Sequence, residues 1–157
     1  MDSKIALFFL TIAYLLLNLG CGDKNTGKLG GDHIVPYVPI GNAAITIGGG
    51  GEAPWVNGSR YFTHSNTGNP LGYRGHGVVI YTSNGDNFTC FDATCTACSS
   101  LTSHFTQANL EGLIAICPVC ETEYELYTGQ PAKTEQKIYP LRPYSVSKSN
   151  NRLIITN

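Results

Sequence analysis

Four cysteines constrain this chain more than any other feature. They come as two C-x-x-C pairs, Cys95-Thr96-Ala97-Cys98 and Cys117-Pro118-Val119-Cys120, with eighteen residues between the pairs. Two cysteines three apart fit on one tight turn with both sulfurs on the same side. Two such turns facing each other set four thiolates at the corners of a tetrahedron, which is the coordination Zn²⁺ takes and also that of a thiolate-bound iron or iron–sulfur centre. The spacing lies in the range that marks a metal site rather than a scatter of structural thiols. A fold that uses the four as one site has to bring two loops together around Cys95, Cys98, Cys117 and Cys120.

The chain has 157 residues, a length that favours one domain with a real core. Its net charge is −1 and only 13% of its residues are charged, with no basic stripe, which argues against a nucleic-acid partner. Eighteen glycines and recurring short runs of Val, Ile, Thr and Tyr favour strands and turns over helices.

The first twenty residues have the character of a targeting segment. Lys4 gives a positive start, and Ile5 to Leu17 is an apolar run of signal-peptide length, too short to favour a spanning helix. Asn18-Leu19-Gly20-Cys21 follows. A small residue before a cysteine after such a run resembles the lipobox of bacterial lipoproteins, with Asn18 standing where a leucine is usual. That resemblance implies lipidation of Cys21 and a membrane anchor. The alternative is an ordinary secretory signal with an incidental cysteine. Residues 21–32 are polar and glycine-rich, as a tether would be. The domain organisation is then 1–20 signal peptide, 21–32 tether and 33–157 folded domain.

From His33 onward the pattern predicts short strands: Ala43 to Ile47, Arg60 to Thr63, Val78 to Tyr81, Phe88 to Asp92, Leu113 to Ile116, Glu123 to Tyr127, Tyr139 to Val146 and Arg152 to Thr156. Val78-Val79-Ile80-Tyr81 is the densest β-branched run and the best central strand. Ser83-Asn84-Gly85-Asp86 predicts a hairpin with a type I′ turn, because Asn-Gly accepts positive φ angles. Thr128-Gly129-Gln130 and Ser149-Asn150-Asn151 are further turns. No long window outside the leader carries a 3.6-residue period. The class is all-β, a small sandwich or barrel.

Several of these segments together resemble a Rieske domain. They are Phe91-Asp92-Ala93-Thr94-Cys95-Thr96, Cys117-Pro118-Val119-Cys120, Tyr124-Glu125-Leu126, Gly129, Pro131-Ala132 and Leu141-Arg142-Pro143-Tyr144-Ser145-Val146. Val35-Pro36-Tyr37-Val38-Pro39 and Arg74-Gly75-His76-Gly77-Val78-Val79-Ile80-Tyr81 are similar to Rieske-like lipoproteins of Bacteroidetes. The resemblance implies a small β-domain in which two hairpin loops clasp a [2Fe–2S] cluster. A Rieske cluster needs two histidines on one iron. Here the first loop runs Cys95-Thr96-Ala97-Cys98 with no histidine, and Cys120 occupies the second histidine position. The site is thiolate-only, suited to Zn²⁺, a rubredoxin-like iron or an all-cysteine [2Fe–2S] centre. Cys117-Pro118-Val119-Cys120 also resembles a rubredoxin knuckle, with Glu121 in place of the glycine usual after the second cysteine.

Disulfides compete with metal, since an exported protein meets oxidising surroundings. With Cys21 lipidated, five cysteines remain, and an odd number fits four ligands plus a spare better than a paired framework. Cys90, in a predicted strand, fits the role of a buried free thiol. His104 lies between the cysteine pairs as an occasional replacement ligand, more simply a loop histidine. His33, His64 and His76 are scattered, and no nucleophile with a matched base assembles. Asp92 has turn-capping as its ordinary role and orientation of a loop amide as the alternative. Trp55, Tyr61, Tyr73 and Tyr81 are candidates for a glycan-binding face, with core or rim packing as the simpler account.

The sequence therefore predicts a lipid-anchored protein of the bacterial envelope, on the periplasmic side or the cell surface. Its metal centre would take zinc or iron, mononuclear or [2Fe–2S], and would staple loops in a structural or binding module. The alternative is electron transfer to a partner protein. Four thiolates close a zinc coordination sphere, so catalysis at the metal is disfavoured.

Overall fold

The computed structural model describes residues 34–36, 38–48, 53–98, 100–133 and 138–157. The expected leader, Cys21, the tether and His33 lie outside the described residues. Nine strands are described: β1 (Ala43–Thr46), β2 (Gly58–Phe62), β3 (Val78–Thr82), β4 (Phe88–Asp92), β5 (Leu110–Glu111), β6 (Ile114–Ile116), β7 (Glu123–Glu125), β8 (Pro143–Ser149) and β9 (Arg152–Thr156). Among the described residues the only helical turns are short 3₁₀ segments at Tyr73–Gly75 and Gln107–Asn109. The protein is all-β, with the two hairpin loops expected of the cysteine pairs.

The larger sheet has six strands in the order β1-β9-β8-β4-β3-β2, and the smaller has three in the order β5-β6-β7. All pairings are antiparallel. Val78, Val79 and Ile80 of β3 are fully buried. Alternate side chains of a strand point to opposite faces, so this run feeds two cores. Val78, Ile80 and Cys90 pack with Ala43, Ile45, Trp55, Leu71, Tyr144, Leu153 and Ile155. Val79 and Phe91 pack with the four paired cysteines, Phe105, Tyr124, Leu126 and Leu141. The cysteine centre is thus built into one core instead of being hung from it. Burying each large apolar side chain there contributes about 1.5–3 kcal/mol.

Several sequence expectations shift in the structure. The hairpin joining β3 and β4 exists, but Thr82 pairs with Phe88, leaving a five-residue loop in place of the type I′ turn. Side chains close it. Thr82 Oγ1 accepts the Gly85 N–H at 2.9 Å, and Asn84 Oδ1 accepts the N–H groups of Asp86 and Asn87. Gly85 has φ 75°, and a Cβ there would sit 2.8 Å from the Trp55 carbonyl oxygen, so the glycine serves close packing as well as the turn. The strand expected from Tyr139 begins at Pro143 and runs on to Ser149: Pro140 lacks the N–H that a ladder needs, and a proline is tolerated at a strand's first position. Strand β5 was not expected; two residues turned back by Gly112 at φ 61° carry too little periodicity to read.

Candidate metal centre

Strand β4 leads into the first loop. Past its end, Ala93 to Cys95 pair with Ser103 to Phe105: the Cys95 N–H donates to Ser103 O at 2.9 Å and the Phe105 N–H to Ala93 O at 2.8 Å. This closes a hairpin whose tip carries Cys95 and Cys98. The chain then returns through β5 and β6 to the second loop. There the Glu121 N–H donates to Cys117 O at 2.9 Å and the Cys117 N–H to Thr122 O at 3.0 Å. Glu121 adopts φ 57°. This left-handed conformation suits glycine, and the hairpin requires it of whatever residue follows the second cysteine.

The loops meet sulfur to sulfur. Cys95 Sγ lies 3.6 Å from Cys120 Sγ, and Cys98 Sγ lies 3.6 Å from Cys117 Sγ. All four Sγ atoms fall within 4.8 Å of one another and all four residues are buried. Each close contact joins one loop to the other. A disulfide would need about 2.05 Å, and all five described cysteines are free thiols. One ion bound at about 2.3 Å by four sulfurs gives a tetrahedron with edges of about 3.8 Å. The observed separations bracket that edge. The donor set, soft and thiolate-only, fits zinc or iron.

Electrostatics gives the cluster a reason to hold a cation. Cys117 is held below the usual thiol range because the thiols of Cys120, Cys95 and Cys98 hydrogen-bond to it. Cys95 is pushed above that range by its hydrogen bonds with Cys117, Cys120 and Cys98 and by burial. Four buried thiols cannot all ionise against each other; a divalent ion removes that conflict.

Hydroxyl groups surround the sulfurs. Ser103 Oγ lies 3.2 Å from Cys117 Sγ, Thr122 Oγ1 3.2 Å from Cys120 Sγ, and Tyr124 Oη 3.7 Å from Cys95 Sγ. Thr96 donates its hydroxyl proton to the Tyr139 carbonyl, so Tyr124 is the donor in its 2.8 Å contact with Thr96 Oγ1. Burial, and then the nearby Cys95, push the Tyr124 phenol up, which keeps it a neutral donor. Sequence reasoning did not single out Ser103, Thr122 or Tyr124 as site residues. The available signal was the position of Thr122 and Tyr124, two and four residues beyond Cys120.

Asp92 anchors the approach to the first loop. It is fully buried. Its Oδ1 accepts the Thr94 N–H at 2.9 Å, and its Oδ2 accepts the Tyr73 N–H at 2.6 Å and the Tyr144 hydroxyl at 2.8 Å. Three donors from three segments satisfy the carboxylate that burial would otherwise penalise. The bond to the Thr94 N–H two residues on is the turn cap that is this residue's ordinary role, and the same bond orients a loop amide.

The other candidates lie away from the sulfurs. Cys90 is buried in the opposite core, where burial and then Asp92 push its thiol up. His104 is not among the four clustered ligands. It stacks on His76 with ring centroids 4.8 Å apart. His64 Nδ1 pairs with the neighbouring Thr63 hydroxyl. The four aromatics proposed as one face are divided: Trp55 is buried in the opposite core, Tyr61 and Tyr73 both meet His76, and Tyr81 packs with Tyr61 against the cysteine-side core while bordering a separate cleft.

The fold and site together define an all-β domain with a buried four-cysteine centre able to hold a metal ion. No protein-family model and no curated protein matches the chain. Among solved structures it is similar to a Sphingomonas yanoikuyae B1 ferredoxin, with a TM-score of 0.47 and 15% identity over 73% of this chain and 96% of that one. It is also similar to a chain of the complex of reduced oxygenase and oxidized ferredoxin in carbazole 1,9a-dioxygenase, with a TM-score of 0.47 and 19% identity over 68% and 93%. A third is the ferredoxin of carbazole 1,9a-dioxygenase from Nocardioides aromaticivorans IC177, with a TM-score of 0.43 and 17% identity over 76% and 98%.

Proposed function

We propose that this chain is an envelope lipoprotein whose Rieske-like domain holds one metal ion on Cys95, Cys98, Cys117 and Cys120, zinc in the first instance, as a staple between two loops. One observation carries the reading: four sulfurs from two hairpins lie within 4.8 Å of one another, the dimensions of a single-ion tetrahedron. A binuclear cluster inserts a second iron and two sulfides, and so spreads the sulfurs on different irons beyond such an edge. When bound, the ion supplies a closed tetrahedral crosslink, with no open position for substrate. The domain then presents its surface for binding or assembly.

A second reading has its own support. The Ser103 and Thr122 hydroxyls lie 3.2 Å from Cys117 Sγ and Cys120 Sγ, and hydrogen bonds to sulfur are a main lever on the potential of an iron–thiolate centre. Mononuclear iron in the same site makes the protein an electron carrier. X-ray absorption at the metal edge separates these cases. Four sulfur neighbours at about 2.3 Å with no metal–metal scattering support a single ion. A metal–metal shell overturns it, and the edge itself names zinc or iron.

Anchoring rests on the apolar run from Ile5 to Leu17 and on Cys21. Among the described residues no helix is long and apolar enough to cross a membrane. Cys21→Ser is expected to move the protein from the membrane fraction to the soluble fraction and to abolish lipid labelling. Unchanged membrane retention with no label on the parent chain would overturn the lipoprotein reading.

A further inference from the structure

Strands β4 and β7 connect the cysteine centre to a second feature at their other ends. Cys95 lies beyond the end of β4 while Phe88 opens it, and Cys120 precedes β7 while Tyr127 follows it. The five residues of β4 alone span roughly 13 Å, so this end of the molecule is separate from the metal. A cleft of about 410 Å³ lies there, lined by Tyr81, Ser83, Asn87, Phe88, Thr89 and Tyr127.

The composition of this cleft is selective. Three of its six lining residues are aromatic and three carry a hydroxyl or an amide. None carries a charge. Tyr81 and Thr89 are a cross-strand pair on one face of the sheet. Phe88 borders the cleft while its ring turns to the other face of the sheet, edge-on to Trp55 at 5.4 Å. Thr89 donates its proton to the Leu126 carbonyl, which fixes its hydroxyl and leaves the oxygen as an acceptor. Tyr127 is 64% exposed, a large ring left in water just outside a core that takes Leu126 completely.

Flat rings stack against the apolar faces of pyranose sugars, while neutral hydroxyl and amide groups match sugar hydroxyls. Among the described residues no cation lines the cleft, which argues against a nucleotide or another phosphate, which would need one. We propose that this cleft binds a neutral saccharide, with Tyr127 and Tyr81 as stacking platforms and Asn87 and Ser83 as polar contacts. The site does not depend on which metal the cysteines hold.

The test is isothermal titration of the full chain with three neutral hexasaccharides: cellohexaose, maltohexaose and hexa-N-acetylchitohexaose. Saturable binding of at least one is expected. Tyr127→Ala, at an exposed position, should weaken it roughly tenfold with the melting temperature unchanged, and Asn87→Ala should weaken it through the polar contact. No binding of any of the three overturns the assignment. So does binding that neither substitution weakens, since it would place the sugar elsewhere.

Discussion

The Tyr124 hydroxyl accepts the backbone N–H of Ala97 at 3.0 Å, which ties strand β7 to the tip of the first cysteine loop. The same oxygen lies 3.7 Å from Cys95 Sγ. One buried phenol therefore supports the first loop from a residue of the second hairpin. Tyr124→Phe should leave the ring packing against Phe105 intact and orphan the Ala97 N–H. Leaving a buried donor unpaired costs about 1–3 kcal/mol. Denaturant unfolding of the metal-loaded protein checks this, with metal content expected to stay at the parent level. A loss below about 0.5 kcal/mol, the lower end of an ordinary hydrogen bond, would mean that the contact does not hold the loop.

Cys117→Ser and Cys120→Ser each remove one corner of the tetrahedron. Metal binding is coupled to folding, so each variant should lose the ion and lower stability by several kcal/mol. Cys90→Ser is the contrast: it lies in the other core, outside the four-sulfur cluster, and should retain full metal content whatever its packing cost. Metal analysis and melting curves on the three variants suffice. A Cys117→Ser or Cys120→Ser protein with full metal content and an unchanged melting temperature would contradict a shared site.

Glu121 holds φ 57° in the second loop and is exposed. A non-glycine residue in this conformation costs roughly 1–2 kcal/mol, and glycine gives back part of that through the greater freedom of the unfolded chain. Glu121→Gly should therefore stabilise the metal-bound domain by a few tenths to about 1 kcal/mol. Glu121→Ala should not. Thermal melts of the two variants side by side distinguish relief of backbone strain from loss of the carboxylate.

The His76 imidazole is held below its ordinary range, first by burial and then by the neighbouring His104. Asp92 works in the opposite direction and Arg74 in the same one. The unfolded chain therefore takes up a proton at higher pH than the folded one, and stability falls as pH drops through the ordinary histidine value of about 6.5. His76 Nδ1 also pairs with Thr94 Oγ1 at 2.9 Å, one residue from Cys95. His76→Gln should flatten the fall in melting temperature between about pH 7 and pH 5. A slope identical to that of the parent would assign the effect to other groups.

The centre was legible because C-x-x-C spacing is local chemistry: two sulfurs on a turn need no knowledge of the rest of the chain. The central strand was legible for a similar reason, since a run such as Val78-Val79-Ile80 has to be buried on both faces. What escaped depends on distant partners. Tyr124 reads as the apolar position of an alternating strand, and only the approach of Ala97 makes its hydroxyl part of the site. Thr82, unremarkable in sequence, closes the β3–β4 loop and overrides the Asn84-Gly85 turn signal. Tyr81 reads in sequence as one aromatic among Trp55, Tyr61 and Tyr73. Its neighbours in the cleft, Thr89 and Tyr127, arrive through strand register and the Gly129 turn. In that turn φ is 74°, and a Cβ would sit 2.5 Å from the Phe91 ring.

The most direct measurement is the metal and sulfide content of the mature domain, purified without a metal-binding tag and with free thiols counted under denaturing conditions. The account predicts one zinc or one iron per chain and no acid-labile sulfide. Two irons with sulfide would contradict the single-ion centre, and a metal-free protein with its paired cysteines oxidised would contradict the centre altogether.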